Sequence, residues 1–255
     1  GYVSQITDRL KQNAIQYSTE NVEVEGLERD STFTFDEVWM NFHPASWENI
    51  INHPAWLRRT TKHHSNQDIE FEMQSSNSSD ALLMNLLCHP SFFETRGPTR
   101  LLKVDASLPL EFGWKPDFEN ESSERRTEID LKIGSQIFEA KLTEKDFQTK
   151  RLSIVRGYAN FNKVFDENLL LNENGDIEHY QLVRNVLTAY KDDYEFTVLI
   201  DESRIDLIRR VFNMIKAVKL KSMRKRISFI TWQELTNVCG REIKEFVQMK
   251  YFWHH

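Results

Sequence analysis

Asp130, Glu139 and Lys141 are of the types, and at the spacing, to hold a divalent cation with an ammonium group beside it. They lie in RTEIDLKIGSQIFEAKLTEKDF (126–147), where two alternating runs flank Gly134-Ser135. Strand side chains alternate between faces. Glu128, Asp130 and Lys132 therefore share one face of the first run, and Ile137, Glu139 and Lys141 one face of the second. A two-residue turn with glycine first reads as a hairpin loop. Pairing across it sets Ile133 opposite Gln136, Lys132 opposite Ile137 and Asp130 opposite Glu139. Opposed side chains lie about 5 Å apart, and two carboxylates at that separation repel unless a cation joins them. Mg²⁺ is suited to the place, because it takes one or two carboxylates and keeps several waters. Such an ion polarises a phosphate and acidifies a bound water. Lys141, one strand step past Glu139, would reach the same site as a third functional group.

Around these residues the chain resembles the PD-(D/E)xK nuclease superfamily. Asp130, Glu139 and Lys141 match its motif residue by residue. SSDALLMNLLCHP (78–90), EAKLTEKDF (139–147) and YQLVRNVL (180–187) resemble segments of a bacterial restriction-endonuclease-like branch. The resemblance covers roughly residues 78–235. It implies DNA as substrate, Mg²⁺ as cofactor with Mn²⁺ able to substitute, and the Ala140 carbonyl as a further metal ligand. It also implies that Gln181 faces the active site. Arg184, on the same helical segment, is expected to meet a phosphate with its guanidinium fork. Asp80 is a candidate extra acid, although an acid at a helix start is favoured by the macrodipole alone. Pro116-Asp117 spells the motif literally, but in a polar stretch without strand alternation, so Asp130 is preferred. Glu128 could add an oxygen; an ordinary charge at a sheet edge is the simpler reading.

The elements that must position these groups follow from periodicity and breakers. Residues 3–17 predict an amphipathic helix with Ile6, Leu10, Ala14 and Tyr17 on one face. Residues 39–65, with two His-Pro breaks, predict short helices joined by turns, their aromatic residues serving packing. A helix is expected from 79 to 88 with Ser78 or Ser79 as cap. A strand interrupted by proline is expected over 101–112, and the hairpin strands over 127–133 and 136–142. Residues 144–165 read as helical and 171–176 as a turn. Then come a helix at 178–191, a strand at 195–201, a helix at 203–217, a strand at 226–231 and helix from Trp232. This order predicts an α/β protein: a mixed α+β sheet flanked by helices, with a restriction-endonuclease-like core. Residues 1–75 would form an N-terminal helical accessory region and 76–255 the nuclease domain.

Composition narrows the partners. The 255 residues carry a net charge of −6 and 40% hydrophobic residues, enough for a sizeable core. With that acidic balance, nucleic acid must be held by a local patch. The densest one is KAVKLKSMRKR (216–226), where Lys221, Arg224 and Lys225 are the expected phosphate contacts; a solvated linker is the alternative. No apolar run is long enough for a membrane span, no signal peptide opens the chain, and Cys88 and Cys239 sit in apolar helical patterns. These features point to a reducing, cytoplasmic setting. The chain begins at Gly1, and His254 and His255 read as a tag remnant outside the site. His43, His53, His63, His64 and His89 show no zinc spacing. The expected activity is a Mg²⁺-dependent DNA endonuclease of restriction or defence, with a second copy of the chain (a homo-oligomer) or a defence-system protein as the expected partner. The competing readings are a catalytically silent DNA-binding module and an RNA-cleaving effector.

Overall fold

The computed structural model describes residues 1–117 and 128–253. Its centre is a five-stranded mixed sheet: β1 (Glu111–Trp114), β2 (Ile129–Ile133), β3 (Gln136–Lys141), β4 (Glu195–Ile200) and β5 (Ile227–Thr231), in that spatial order. β1, β2 and β3 pair antiparallel, whereas β3, β4 and β5 run parallel. The α/β class and the mixed sheet are thus as the sequence predicts. The hairpin register is also as expected, with Ile133 opposite Gln136 and Lys132 opposite Ile137. Gly134 supplies the turn's positive φ of 55°, which costs a residue without Cβ little.

Helices cover both faces: α1 (Tyr2–Glu20), α2 (Pro44–Ile51), α3 (Pro54–Thr60), α4 (Ser79–Leu87), α5 (Tyr180–Asp192), α6 (Ile205–Ala217), α7 (Trp232–Asn237) and α8 (Arg241–Val247). α2 and α3 each begin with the proline of a His-Pro pair, a position where the missing N–H is not needed. The two faces are packed by different helices. On one, Phe138, Ala140 and Leu142 join Leu82, Leu83 and Leu86 of α4 and Ile6 and Leu10 of α1. On the other, Ile137, Phe196 and Val198 join Val183 and Val186 of α5 and Leu207 and Val211 of α6. Ile6, Leu10, Ala14 and Tyr17 of α1 are all buried. Residues of the first 75 therefore share a core with the sheet.

Two segments differ from expectation. Residues 101–112 are not one strand. Leu101 and Leu102 end a helix, Arg96–Leu102, that Lys103 stops in the left-handed conformation (φ 55°), and strand structure begins only at Glu111. Residues 144–165 are not one helix. They contain a two-residue strand, Lys150–Arg151, paired with Asp176–Ile177, and the single turns Leu152–Val155 and Phe161–Val164. Left-handed backbone at Gln148 and Asn160 interrupts the ladder that a continuous helix needs. Cys88 is buried, Cys239 half-buried, and both are free thiols. Among the described residues, no helix is long and apolar enough to cross a membrane.

Candidate active site

β2 and β3 bring Asp130, Glu139 and Lys141 into the lining of one cleft of about 1150 Å³. The end of β3 is pinned from outside the hairpin. Trp232 Nε1–H donates to the Lys141 carbonyl at 2.8 Å, and Arg204 donates to the carbonyls of Leu142 and Glu144, each at 2.9 Å. The Ala140 backbone N–H donates to Asp130 Oδ2 at 2.7 Å. Glu139 is buried, and both its oxygens are engaged. Lys141 Nζ lies 2.9 Å from Oε1, and Asn185 Nδ2 of α5 donates to Oε2 at 2.8 Å. The three motif residues line one cleft, but the strict alternation read from the sequence stops short of Asp130: the paired ladder reaches Leu131–Phe138, and Ile129 packs with Ile137 while Leu131 and Ile133 pack on the other face.

The electrostatics are set by crowding. Asp130 is half-buried; desolvation, then the charges of Glu139 and Asp80, push its carboxyl well above the usual range. Lys141 and the Ala140 N–H pull in the opposite direction without reversing the shift. For Lys141, burial alone would lower the ammonium's pKa, but Glu139, Glu144 and Asp130 outweigh it and hold the group above the ordinary lysine range. Lys141 is therefore a fixed cation at neutral pH. Eight carboxylates line the cleft among the described residues, against Arg29, Lys62 and Lys141. A polyanionic substrate would be repelled from such a lining unless cations accompanied it. Asp80 and Glu139 both act on the charge of Asp130, and carboxylate oxygens are the hard donors that Mg²⁺ or Mn²⁺ takes.

The remaining expected residues divide. Gln181 lines the cleft, and its Oε1 has no hydrogen-bond partner, which leaves it available to a ligand. Asp80, at the start of α4, also lines the cleft, where Arg59 Nη2 donates to it at 2.8 Å and Lys62 Nζ lies 3.5 Å away. Glu128 lines the cleft too and pairs with Arg59. Asp117 is exposed and not part of the lining. Arg184 requires a correction to the expected phosphate contact: it is 1% exposed, and its Nη2 donates to the Glu128 carbonyl and to Asn185 Oδ1. Its guanidinium braces α5 against β2 rather than facing solvent. Lys221, Arg224 and Lys225 are exposed on the turn that precedes β5. Because Ile227 is in register with Phe196 and so with Ile137, this turn sits at the end of the parallel strands opposite Lys141.

Sequence reasoning missed Arg59 and Lys62. Both come from the supposed accessory region, and Arg59 reaches the site through a notch in β1. Gly113, at φ 63°, has no Cβ; one built there would stand 2.6 Å from Arg59 Nη1. The glycine inside an otherwise strand-like run was the available signal.

A family model described as Restriction Endonuclease associating with ARP matches residues 8–252. No curated protein and no solved structure matches the chain.

Proposed function

The chain belongs to this family of restriction endonucleases associating with ARP, and we propose that it is a Mg²⁺-dependent endonuclease that hydrolyses phosphodiester bonds of DNA. The observation that carries the reading is the Glu139–Lys141 pair, 2.9 Å apart beside Asp130 in an acidic cleft. Asp130 and Glu139, with the Ala140 carbonyl, would hold the ion, and Asp80 is near enough to steady its charge. When bound, the ion supplies Lewis acidity to the scissile phosphate and to a water. This chain's own groups do the rest. Asn185 holds the Glu139 carboxylate in one orientation. Lys141 keeps its proton and directs N–H bonds at a non-bridging phosphate oxygen or at the attacking water. Gln181 Oε1 accepts a hydrogen bond from that water. Arg59 neutralises Asp80 and Glu128, so that the carboxylate cluster tolerates its own density before an ion arrives.

Lys221, Arg224 and Lys225 are proposed as contacts to a more distant part of the duplex. Five strand steps separate the two ends of β3, about 17 Å, so one duplex could touch both. The intact Asp, Glu and Lys weigh against a silent binding module. The family description itself names an association with ARP, which supports the expected dependence on a partner protein. The test is cleavage of supercoiled and linear duplex DNA in Mg²⁺ by the parent and by Lys141→Ala, with Mn²⁺ binding followed by calorimetry. Lys141→Ala should lose at least 100-fold in rate while still binding Mn²⁺. Asp130→Asn and Glu139→Gln should lose both. Undiminished cleavage by Lys141→Ala would overturn the assignment.

A further inference from the structure

A second group of chemistry-bearing side chains lies at the far end of α4 from the cleft. His43 caps the start of α2, His89 follows the end of α4, and Glu242 stands in the first turn of α8. One ligand atom from each lies within 4.8 Å of the other two. His43 Nε2 is 3.4 Å from Glu242 Oε1, and His89 Nε2 is 3.9 Å from Oε2. The His43 and His89 side chains are 11% and 4% exposed, and their rings meet edge to face at 4.9 Å. His89 Nε2 is buried and has no hydrogen-bond partner. A buried ring nitrogen without a partner, aimed at a carboxylate, is left unexplained by the protein's own hydrogen bonds.

We propose that His43, His89 and Glu242 form a binding site for a borderline transition-metal ion of the Zn²⁺ or Co²⁺ class, separate from the carboxylate cleft. Two imidazoles and a carboxylate, with the open surface leaving room for water, are a donor set for such ions. His89 Nδ1 lies 2.8 Å from Ser91 Oγ and takes the Ser91 backbone N–H at 3.2 Å, so the ring proton must move from Nε2 to Nδ1, where Ser91 Oγ can accept it, before Nε2 offers a lone pair. His43 Nδ1 takes the Ala45 N–H at 3.1 Å, so it exchanges one cap hydrogen bond for the coordinate bond at Nε2. Ligand atoms about 2.1 Å from one ion can stand at most about 4.2 Å apart. Around a tetrahedral ion the ligand atoms stand about 3.4 Å apart, so the three groups must close in, Glu242 by moving its 69% exposed side chain and the two buried rings by a small approach to each other. Bound there, the ion ties the N-terminal segment, the end of α4 and α8 together. The three ligands come from distant segments, which is why no spacing pattern announces them.

The proposal does not depend on nuclease activity, and metal chemistry separates the two sites: hard Mg²⁺ favours the oxygens of the cleft, while imidazole favours Zn²⁺ and Co²⁺. The experiment is a Co²⁺ titration of the full chain in excess Mg²⁺, read by visible d–d absorption, with Zn²⁺ displacement and thermal melting alongside. One equivalent of Co²⁺ should bind with visible bands, both in the parent and in Asp130→Asn/Glu139→Gln. Glu242→Gln, at an exposed position, should weaken it at least 10-fold and abolish the rise in Tm caused by Zn²⁺; His89→Gln should abolish the bands. Equal Co²⁺ binding by Glu242→Gln, or complete loss in Asp130→Asn/Glu139→Gln, would overturn the proposal.

Discussion

Arg59 of α3 donates to Asp80 of α4 at 2.8 Å, and the two side chains are 8% and 5% exposed. Through this pair, and through the second ion pair to Glu128, a residue from the first 75 becomes part of the wall behind Asp130. Burial works against the Arg59 charge, but Asp80, Glu128 and Asp130 more than offset it.

Arg59→Gln should therefore destabilise the fold by about 3 kcal/mol, because removing one partner of a buried ion pair leaves the other carboxylate uncompensated. Urea unfolding at pH 7 measures it. The variant should also bind Mn²⁺ no more weakly than the parent, since a competing cation has gone. A loss of stability under about 1 kcal/mol would show that the pair is solvated.

Asp130 and Asp117 are separated by geometry. Asp117→Asn should change Mn²⁺ affinity less than twofold, because the side chain is outside the cleft lining. Asp130→Asn should cost at least 10-fold. Calorimetric titration of the two variants side by side decides, and a larger loss for Asp117→Asn would exchange their roles.

His179 should give stability a pH dependence below neutrality. Burial, aided by Arg210 and opposed by Asp146, lowers its pKa to about 4, against about 6.5 in an unfolded chain. Between those values the unfolded state binds more protons. The stabilising contribution is complete above about pH 6.5 and is lost as pH falls toward 4, by about 1–3 kcal/mol. His179→Gln should flatten the fall by that amount between pH 6.5 and 4. His43 and His89, also lowered by burial, keep their own share. An unaltered slope in His179→Gln would refute the assignment.

Lys221, Arg224 and Lys225 can be tested without any cleavage. Each phosphate contact contributes about −0.9 to the slope of log affinity against log salt on duplex DNA. Replacing all three by Ala should make the slope shallower by about two to three units, equally for unrelated sequences, since phosphates carry no sequence information. Binding measured in Ca²⁺ isolates this from catalysis. An unchanged slope would assign the turn to solvent and move the DNA surface to the cleft rim.

What the sequence by itself determined is the local chemistry. Period-two alternation and a Gly-Ser turn are short-range properties, so the hairpin, its register beside the turn and the alternation of Glu139 and Lys141 were readable from residues 126–147, whereas the break in alternation at Ile129 and Asp130 was not. The amphipathic face of α1 and the positions of α4, α5 and α6 were readable for the same reason. The run 144–165 was misread because its apolar residues have a helical period but its left-handed breaks, at Gln148 and Asn160, are not glycines. Arg184 was misread because a charged side chain on an amphipathic helix looks solvated until its carbonyl partner on Glu128 is in place. Only the tertiary structure decided that Arg59 passes Gly113 to reach Asp80, and that His43, His89 and Glu242 converge. Those contacts join segments far apart in the chain, and their closeness is produced by burial of the shared core between α1, α4, α8 and the sheet, a non-directional force that leaves no local spacing to read.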